Sequence, residues 1–560
     1  MNTTSTRASR PPISQALPVK FLLIIASLCL AASACASDDA TLVSANPAFA
    51  NGFTGWQTEG DVHLQTSGSD PVKREVVIGP GAGSLSQRIA RNAANHMMIA
   101  ARLHSVPSGA AVLSVRCLDK NGQELMTLRS PADIKPGKEA GTLEDYFRPH
   151  PLTASVDIII SKGNEPGTVS VDRLELDLYH DDNPSLQSSQ NIAELMRPFW
   201  KGSLVSDEAV LLTARNGELA SGTLMFRPTR ILAVTSYDGA TQYRAGADYS
   251  VQGRTLTAAA NSAISHIRDS DLLQGDLAWN IIGGKQVLVS YEHDDAWTGP
   301  IQPYVGDELP NSLRILRARA PLRIAAYGDS ITYGLGSSHM QKIRPYQSPW
   351  VTLFVDQLRT QWNDPDIALF NASQSGADST WAKNMAERMV ASLHPDLVLI
   401  AFGQNDFWSI SPDTFAQNIF AVMNAVRQTS PQAEFLLVST MRFDPAYTVD
   451  RKYWERVTEY DARLRAMTTE GIQLVDMTAV SGSVFAAKAP RDCLNDPLHP
   501  DDYLSRWYAQ SLLAALAPSE ADTADPSSEA HRLGNSVSDP RHPLIGDALI
   551  LSNAHERAAK

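Results

Sequence analysis

Residues 322–333 read Leu-Arg-Ile-Ala-Ala-Tyr-Gly-Asp-Ser-Ile-Thr-Tyr. The first six form a short, largely apolar run, as expected of a strand covered on both faces. Gly328-Asp329-Ser330-Ile331-Thr332 follows at once. From this point the chain alternates apolar runs with amphipathic stretches. Residues 366–370, 397–402, 435–439 and 472–475 supply four more strand candidates. Helical patterns lie between them at 349–361, 379–392, 412–428 and 450–468, with a last one at 501–516. The alternation predicts an α/β unit over 318–518, with a five-stranded parallel sheet, helices on both faces and right-handed crossovers.

Four short motifs fall in order within it: Gly328-Asp329-Ser330-Ile331-Thr332, the run 371–376 (Asn-Ala-Ser-Gln-Ser-Gly), Gly403-Gln404-Asn405-Asp406, and Asp496-Pro497-Leu498-His499. The first three each follow a predicted strand, where open parallel sheets build their binding crevice. A serine hydroxyl is a poor nucleophile at neutral pH and needs a base within hydrogen-bond reach. Histidine suits that role because its pKa lies near working pH. Asp496 and His499 stand three apart, so one turn can put the carboxylate beside the imidazole, fixing its tautomer. Pro500 fits the first position of the last helix, with Asp501 and Asp502 in its first turn. That would set His499 near the helix's positive end. This end and Asp496 pull the imidazole pKa in opposite directions. Asn405 offers uncharged N–H donors to an oxygen that becomes negative only transiently. Asp406 reads as a loop-fixing acceptor rather than a second acid.

The motif set resembles the blocks of the SGNH (GDSL) hydrolase superfamily over 319–517, which implies a flavodoxin-like α/β fold. The resemblance implies Ser330 as nucleophile, His499 as base and Asp496 as its orienting carboxylate. It also implies an oxyanion hole from the Ser330 and Gly376 N–H groups and the Asn405 amide. The Gly-x-Ser-x-Gly elbow of α/β-hydrolases is absent. Asp329, Tyr333, Trp381, Phe407 and Trp408 are candidates for lining the cleft. No CxxC, HExxH or His/Cys cluster marks a metal site, so the expected chemistry uses no metal and no cofactor.

Upstream, residues 40–182 read as short strands with turns, such as the alternating 111–118 before Asn121-Gly122, then 155–160 and 168–179. This predicts a β-sandwich. Asn46-Pro47-Ala48-Phe49 to Gly55-Trp56, and the closing run 169–174, resemble the ends of carbohydrate-binding jelly rolls. Trp56 reads as core packing before sugar platform. A second β-rich domain is predicted over 195–310, with strands at 223–236, 249–251 and 287–291; it reads as a spacer or substrate-shaping module. Its His293-Asp294-Asp295 reads as a solvated loop rather than a metal set. Residues 519–560, rich in Ala, Ser, Asp and Pro, read as a disordered tail.

Residues 1–36 read as an export signal: Arg7, Arg10 and Lys20 precede the apolar run 21–30 and small residues from 31 to 36. Ala32-Ser33-Ala34 fits an ordinary cleavage site, and 31–35 fits a degenerate lipobox whose Cys35 would be acylated and anchor the chain to a membrane. The expected location is periplasmic or secreted, or the outer membrane for the lipoprotein form. Cys117 and Cys493 read as two buried thiols. Hydrophobic residues at 43% and charged residues at 19% fit globular domains rather than a mainly disordered chain. A net charge of −13 disfavours nucleic acid as a partner.

These features together predict an exported serine esterase that removes acyl groups, chiefly O-acetyl, from polysaccharide or oligosaccharide. The alternatives are a lipase or phospholipase on the same scaffold, a sugar O-acetyltransferase, and a glycan-binding protein with an idle hydrolase domain.

Overall fold

The computed structural model describes residues 40–42, 45–66, 73–90, 97–107, 111–129, 141–147, 150–180, 188, 190–215, 217–272, 282, 284–444 and 452–517. Residues 1–36, expected to be an export signal, with Cys35 among them, and the expected tail 519–560 lie outside them.

The strand Arg323–Gly328 is buried at all six positions because it runs through the middle of a parallel sheet. Ala368–Asn371 lies on one side; Leu397–Ala401, Glu434–Val438 and Ile472–Val475 follow on the other. In chain order this is 2-1-3-4-5, the doubly wound arrangement whose crevice opens where the first strand's neighbours diverge. The covering helices follow from local sequence. Pro412–Thr429 starts on Ser411, whose side chain accepts from Thr414 N–H, and Phe415, Ile419, Val422 and Val426 recur along its buried stripe. Trp350–Trp362 buries Trp350, Phe354 and Leu358 in the same way and ends on Asn363 in the left-handed conformation. Met477–Ala487 is a helix that the pattern did not predict. Its serines and glycine are poor helix formers, but Asp476 caps it and Met477, Val480 and Val484 are buried.

The first β segment is antiparallel, in the order 124–129, 112–118, 155–162, 74–90, 169–180, 97–107, 141–147. The 17-residue strand Arg74–Ala90 pairs through 76–78 with one neighbour and through 83–90 with the other, which folds the sheet around a core. Trp56 belongs to that core, 5.4 Å from the Phe49 ring, with its indole N–H on Asn46 O. Cys117 is buried in the same core and Cys493 in another.

Residues 195–310 do form sheets, with Val287–His293 between Leu204–Val210 and Pro228–Ser236. Their core, however, is continuous with one side of the parallel-sheet core. Phe199 packs 4.8 Å from Tyr503 and 5.0 Å from Trp507, both on the last helix. The segment therefore shares a core with the last helix rather than standing apart from it. His293 is buried and stacked 4.0 Å from Phe226 at the end of a strand, so the solvated-loop reading of this residue is corrected.

At this junction Lys488 Nζ lies 2.5 Å from Glu208 Oε1 and donates to Ala209 O, both charged side chains being fully buried. Tyr291 and Met225 N–H also donate to Glu208. Removing one partner of such a pair strands the other charge. Lys488→Met is expected to cost about 3–5 kcal/mol, read as a lower urea midpoint by tryptophan fluorescence. Lys488→Met with Glu208→Leu should recover part of it. An unchanged midpoint for the single variant would show the pair to be energetically idle.

Candidate active site

The chain leaves the central strand through Gly328, where a Cβ would collide with Thr332 and stand 2.5 Å from Ala401 O. Asp329 then caps the short helix Ser330–Tyr333 by accepting from Ile331 N–H at 3.0 Å. Ser330 thus opens a helix, where backbone N–H groups have no intrahelical partner. The loop after Ala368–Asn371 brings Gly376, at φ +74°, a conformation that suits glycine. The loop after Leu397–Ala401 brings Asn405.

His499 comes from a tight loop rather than from the last helix. Asp496 Oδ1 accepts from Leu498 N–H at 2.9 Å and His499 N–H at 3.0 Å, and Asn495 N–H donates to His499 O. The last helix is Asp502–Ala515 with Asp501 as its cap, so Pro500 lies outside it. Asp501, expected in the first turn, instead precedes the helix and accepts from Leu504 N–H at 2.9 Å.

The structure brings Ser330, His499 and Asp496 together. His499 Nε2 is 2.8 Å from Ser330 Oγ, and Nδ1 is 2.8 and 2.9 Å from the two Asp496 oxygens. An ionised carboxylate only accepts, so these partners assign the imidazole proton to Nδ1 and leave Nε2 to accept from the serine hydroxyl. Burial lowers the His499 pKa, but the charge and hydrogen bond of Asp496, with the charge of Asp329, outweigh it and hold the group above 6.5. The side-chain amide of Asn405 donates to Ala377 O at 2.9 Å. That bond ties the 371–376 and 403–406 loops together and leaves the amide a second N–H.

Asp406 is buried, and both its oxygens accept from Ser379 N–H, at 3.0 and 3.2 Å. It fixes a loop, and burial pushes its carboxyl up to about 7. The five cleft-lining candidates divide. Trp381 and Trp408 are half-buried, whereas Asp329, Tyr333 and Phe407 are buried. Phe407 is core, 0% exposed and stacked 5.1 Å from Phe443. Asp329 lies beneath the site as a helix cap, raised by burial to about 6.

A positioning residue was quoted in the motif but given no role. Gln404 accepts from the Thr440 hydroxyl at 2.7 Å and reaches Leu498 O at 3.5 Å, bracing the histidine loop. Its place in Gly403-Gln404-Asn405-Asp406 was the available signal. Among the described residues, no group of three or more His, Cys, Asp or Glu side chains is placed to hold a metal ion. No helix among them is long and apolar enough to cross a membrane.

This strand-end serine on a doubly wound sheet, hydrogen-bonded to a His–Asp pair, has the geometry of a serine hydrolase. The model of the GDSL-like Lipase/Acylhydrolase family matches residues 326–506, so this part of the chain is a GDSL-like hydrolase domain. No curated protein sequence matches the chain. Similar solved structures include a candidate GDSL-like lipase from Parabacteroides merdae, at 20% identity and TM-score 0.31, covering 35% of this chain and 95% of that one. A catalytic mutant of an acetylxylan esterase from Geobacillus stearothermophilus is 17% identical at TM-score 0.30, covering 35% and 95%. An alpha/beta hydrolase enzyme from the metagenome of Lake Arreo, Spain, is 20% identical at TM-score 0.30, covering 35% and 97%.

Proposed function

We propose that this chain is an exported serine esterase that removes acyl groups, O-acetyl above all, from polysaccharide. The observation that carries the reading is the unbroken hydrogen-bond path from Asp496 through His499 to the Ser330 hydroxyl. Ser330 Oγ attacks the ester carbonyl as His499 Nε2 takes its proton, and Asp496 steadies the imidazolium. The tetrahedral oxygen rests on the Ser330 and Gly376 N–H groups and the remaining Asn405 N–H. Collapse expels the alcohol, which receives the proton from His499. Water, deprotonated by the same nitrogen, then releases the acid and restores Ser330.

Ser330 and His499 are only 5% and 4% exposed, and Tyr333, at the end of Ser330's own helix, is buried. The sugar side of the reading rests on the export signal and the jelly-roll-like first segment. The test is p-nitrophenyl ester hydrolysis by protein lacking 1–36, with acyl chains from acetyl to dodecanoyl, followed by acetate release from acetylated glycans. Turnover concentrated on acetyl supports the reading; preference for long chains, with no acetate released from any glycan, overturns it. Asn405→Ala is expected to lower kcat by about a hundred- to a thousandfold with little change in KM. A tenfold or smaller loss would remove Asn405 from the oxyanion hole.

A further inference from the structure

Segment 195–310 and the hydrolase domain line an open cleft of about 730 Å³, within the range of small-molecule sites. Its lining includes Arg215, Glu218 and Asp269 from the β-rich segment and Asp444, Arg491 and Asp492 from the hydrolase domain. We propose that this cleft is a subsite for uncharged sugar residues of the glycan that carries the scissile acyl group. The proposal rests on the esterase reading for its substrate, and on the cleft itself for its chemistry.

Position is the first argument. Asp444 N–H donates to Pro497 O at 3.3 Å, so the cleft wall touches the loop that carries Asp496 and His499. The cleft and the catalytic pair thus share a wall through residues 444 and 497.

The second argument is the pattern of donors and acceptors. Arg215 Nε stands 3.4 Å from Asp269 Oδ2, Arg491 Nη1 3.8 Å from Asp269 Oδ1, and Arg491 Nε 3.0 Å from Asp444 Oδ2. This row of guanidinium and carboxylate groups crosses the domain boundary and fixes planar donors beside planar acceptors. Arg215 and Glu218 are exposed, and a guanidinium has five N–H donors, so donors and acceptors remain for a ligand. Asp492 is buried behind this row, its Oδ2 4.0 Å from Lys488 Nζ. Vicinal hydroxyls, which donate and accept at once, match such a row.

Charge decides which sugars fit. Two guanidinium groups face four acidic side chains, so the lining does not favour a uronate or a phosphate. A long acyl chain fits no better, because it would desolvate charged groups and offer them no hydrogen bonds.

The experiment is calorimetric titration of the full chain carrying Ser330→Ala with xylohexaose, mannohexaose, cellohexaose and hexagalacturonate. At least one uncharged hexaose is expected to bind, and hexagalacturonate to bind at least about tenfold more weakly. Arg215→Ala and Glu218→Ala, made separately at exposed positions, are each expected to weaken the bound hexaose by roughly tenfold, the loss of one charged hydrogen bond. Three results overturn the proposal: no uncharged hexaose bound up to about 10 mM, hexagalacturonate bound as tightly, or affinity untouched by both substitutions. The last would place the sugar elsewhere on the chain. Binding is read in protein that cannot turn over, so its failure is distinct from failure of the esterase reading, which hydrolysis of p-nitrophenyl acetate by the native protein tests.

Discussion

Replacing Ser330 with alanine is expected to lower kcat for p-nitrophenyl acetate by roughly ten-thousand- to million-fold. The expected size follows from the geometry. The serine hydroxyl stands 2.8 Å from His499 Nε2, and its loss removes the acyl-enzyme path altogether. His499→Ala should fall by a similar factor. The double variant should be no worse than either single one, because nucleophile and base act as a unit. Steady-state rates of the three proteins, with near-ultraviolet circular dichroism as a folding check, decide the matter. Losses that multiplied in the double variant would mean two independent contributions and would break the proposed mechanism.

Asp496→Asn should have the second-largest effect, in two separable parts. The rate falls by roughly ten-thousand-fold because an asparagine amide can donate to Nδ1 and stabilise the wrong tautomer. The pH profile also moves. In the native protein His499 keeps its proton above 6.5, so the active, unprotonated form grows only as pH rises through that higher midpoint, and kcat/KM climbs with it. With Asp496 neutralised, its charge and hydrogen bond no longer raise the group while burial still lowers it. The acidic limb should therefore shift to lower pH even as the plateau drops. A limb that stayed in place would show that His499 is not the group titrating.

The parallel sheet was legible because its central strands are buried on both faces and read as apolar runs; 397–402 was expected and Leu397–Ala401 found. Helix Met477–Ala487 was not, since its stability comes from the Asp476 cap and from tertiary burial rather than from its own residues. The triad could be read because its members sit at strand ends or three residues apart. The neighbouring aromatics could not. Phe407 and Trp408 are adjacent, yet the single turn Asp406–Trp408 sends the first into the core and leaves the second half-buried. Nor could the union of 195–310 with the hydrolase domain be read. Glu208 and Lys488 are ordinary charged residues in sequence, and only the folded chain brings them together across 280 positions.

That separation sets a timetable for the newly made chain. At ribosomal speeds of about 5–20 residues per second, the lysine that neutralises Glu208 emerges roughly 14–56 s after it. The final helix, against which Phe199 packs, comes later still. Until then the β-rich segment carries an unmatched carboxylate and an apolar face with nothing to cover it, the condition in which nascent chains depend on chaperones. Closure across so long a loop is also slow. The hydrolase domain therefore matures last, and it matures together with the segment that precedes it.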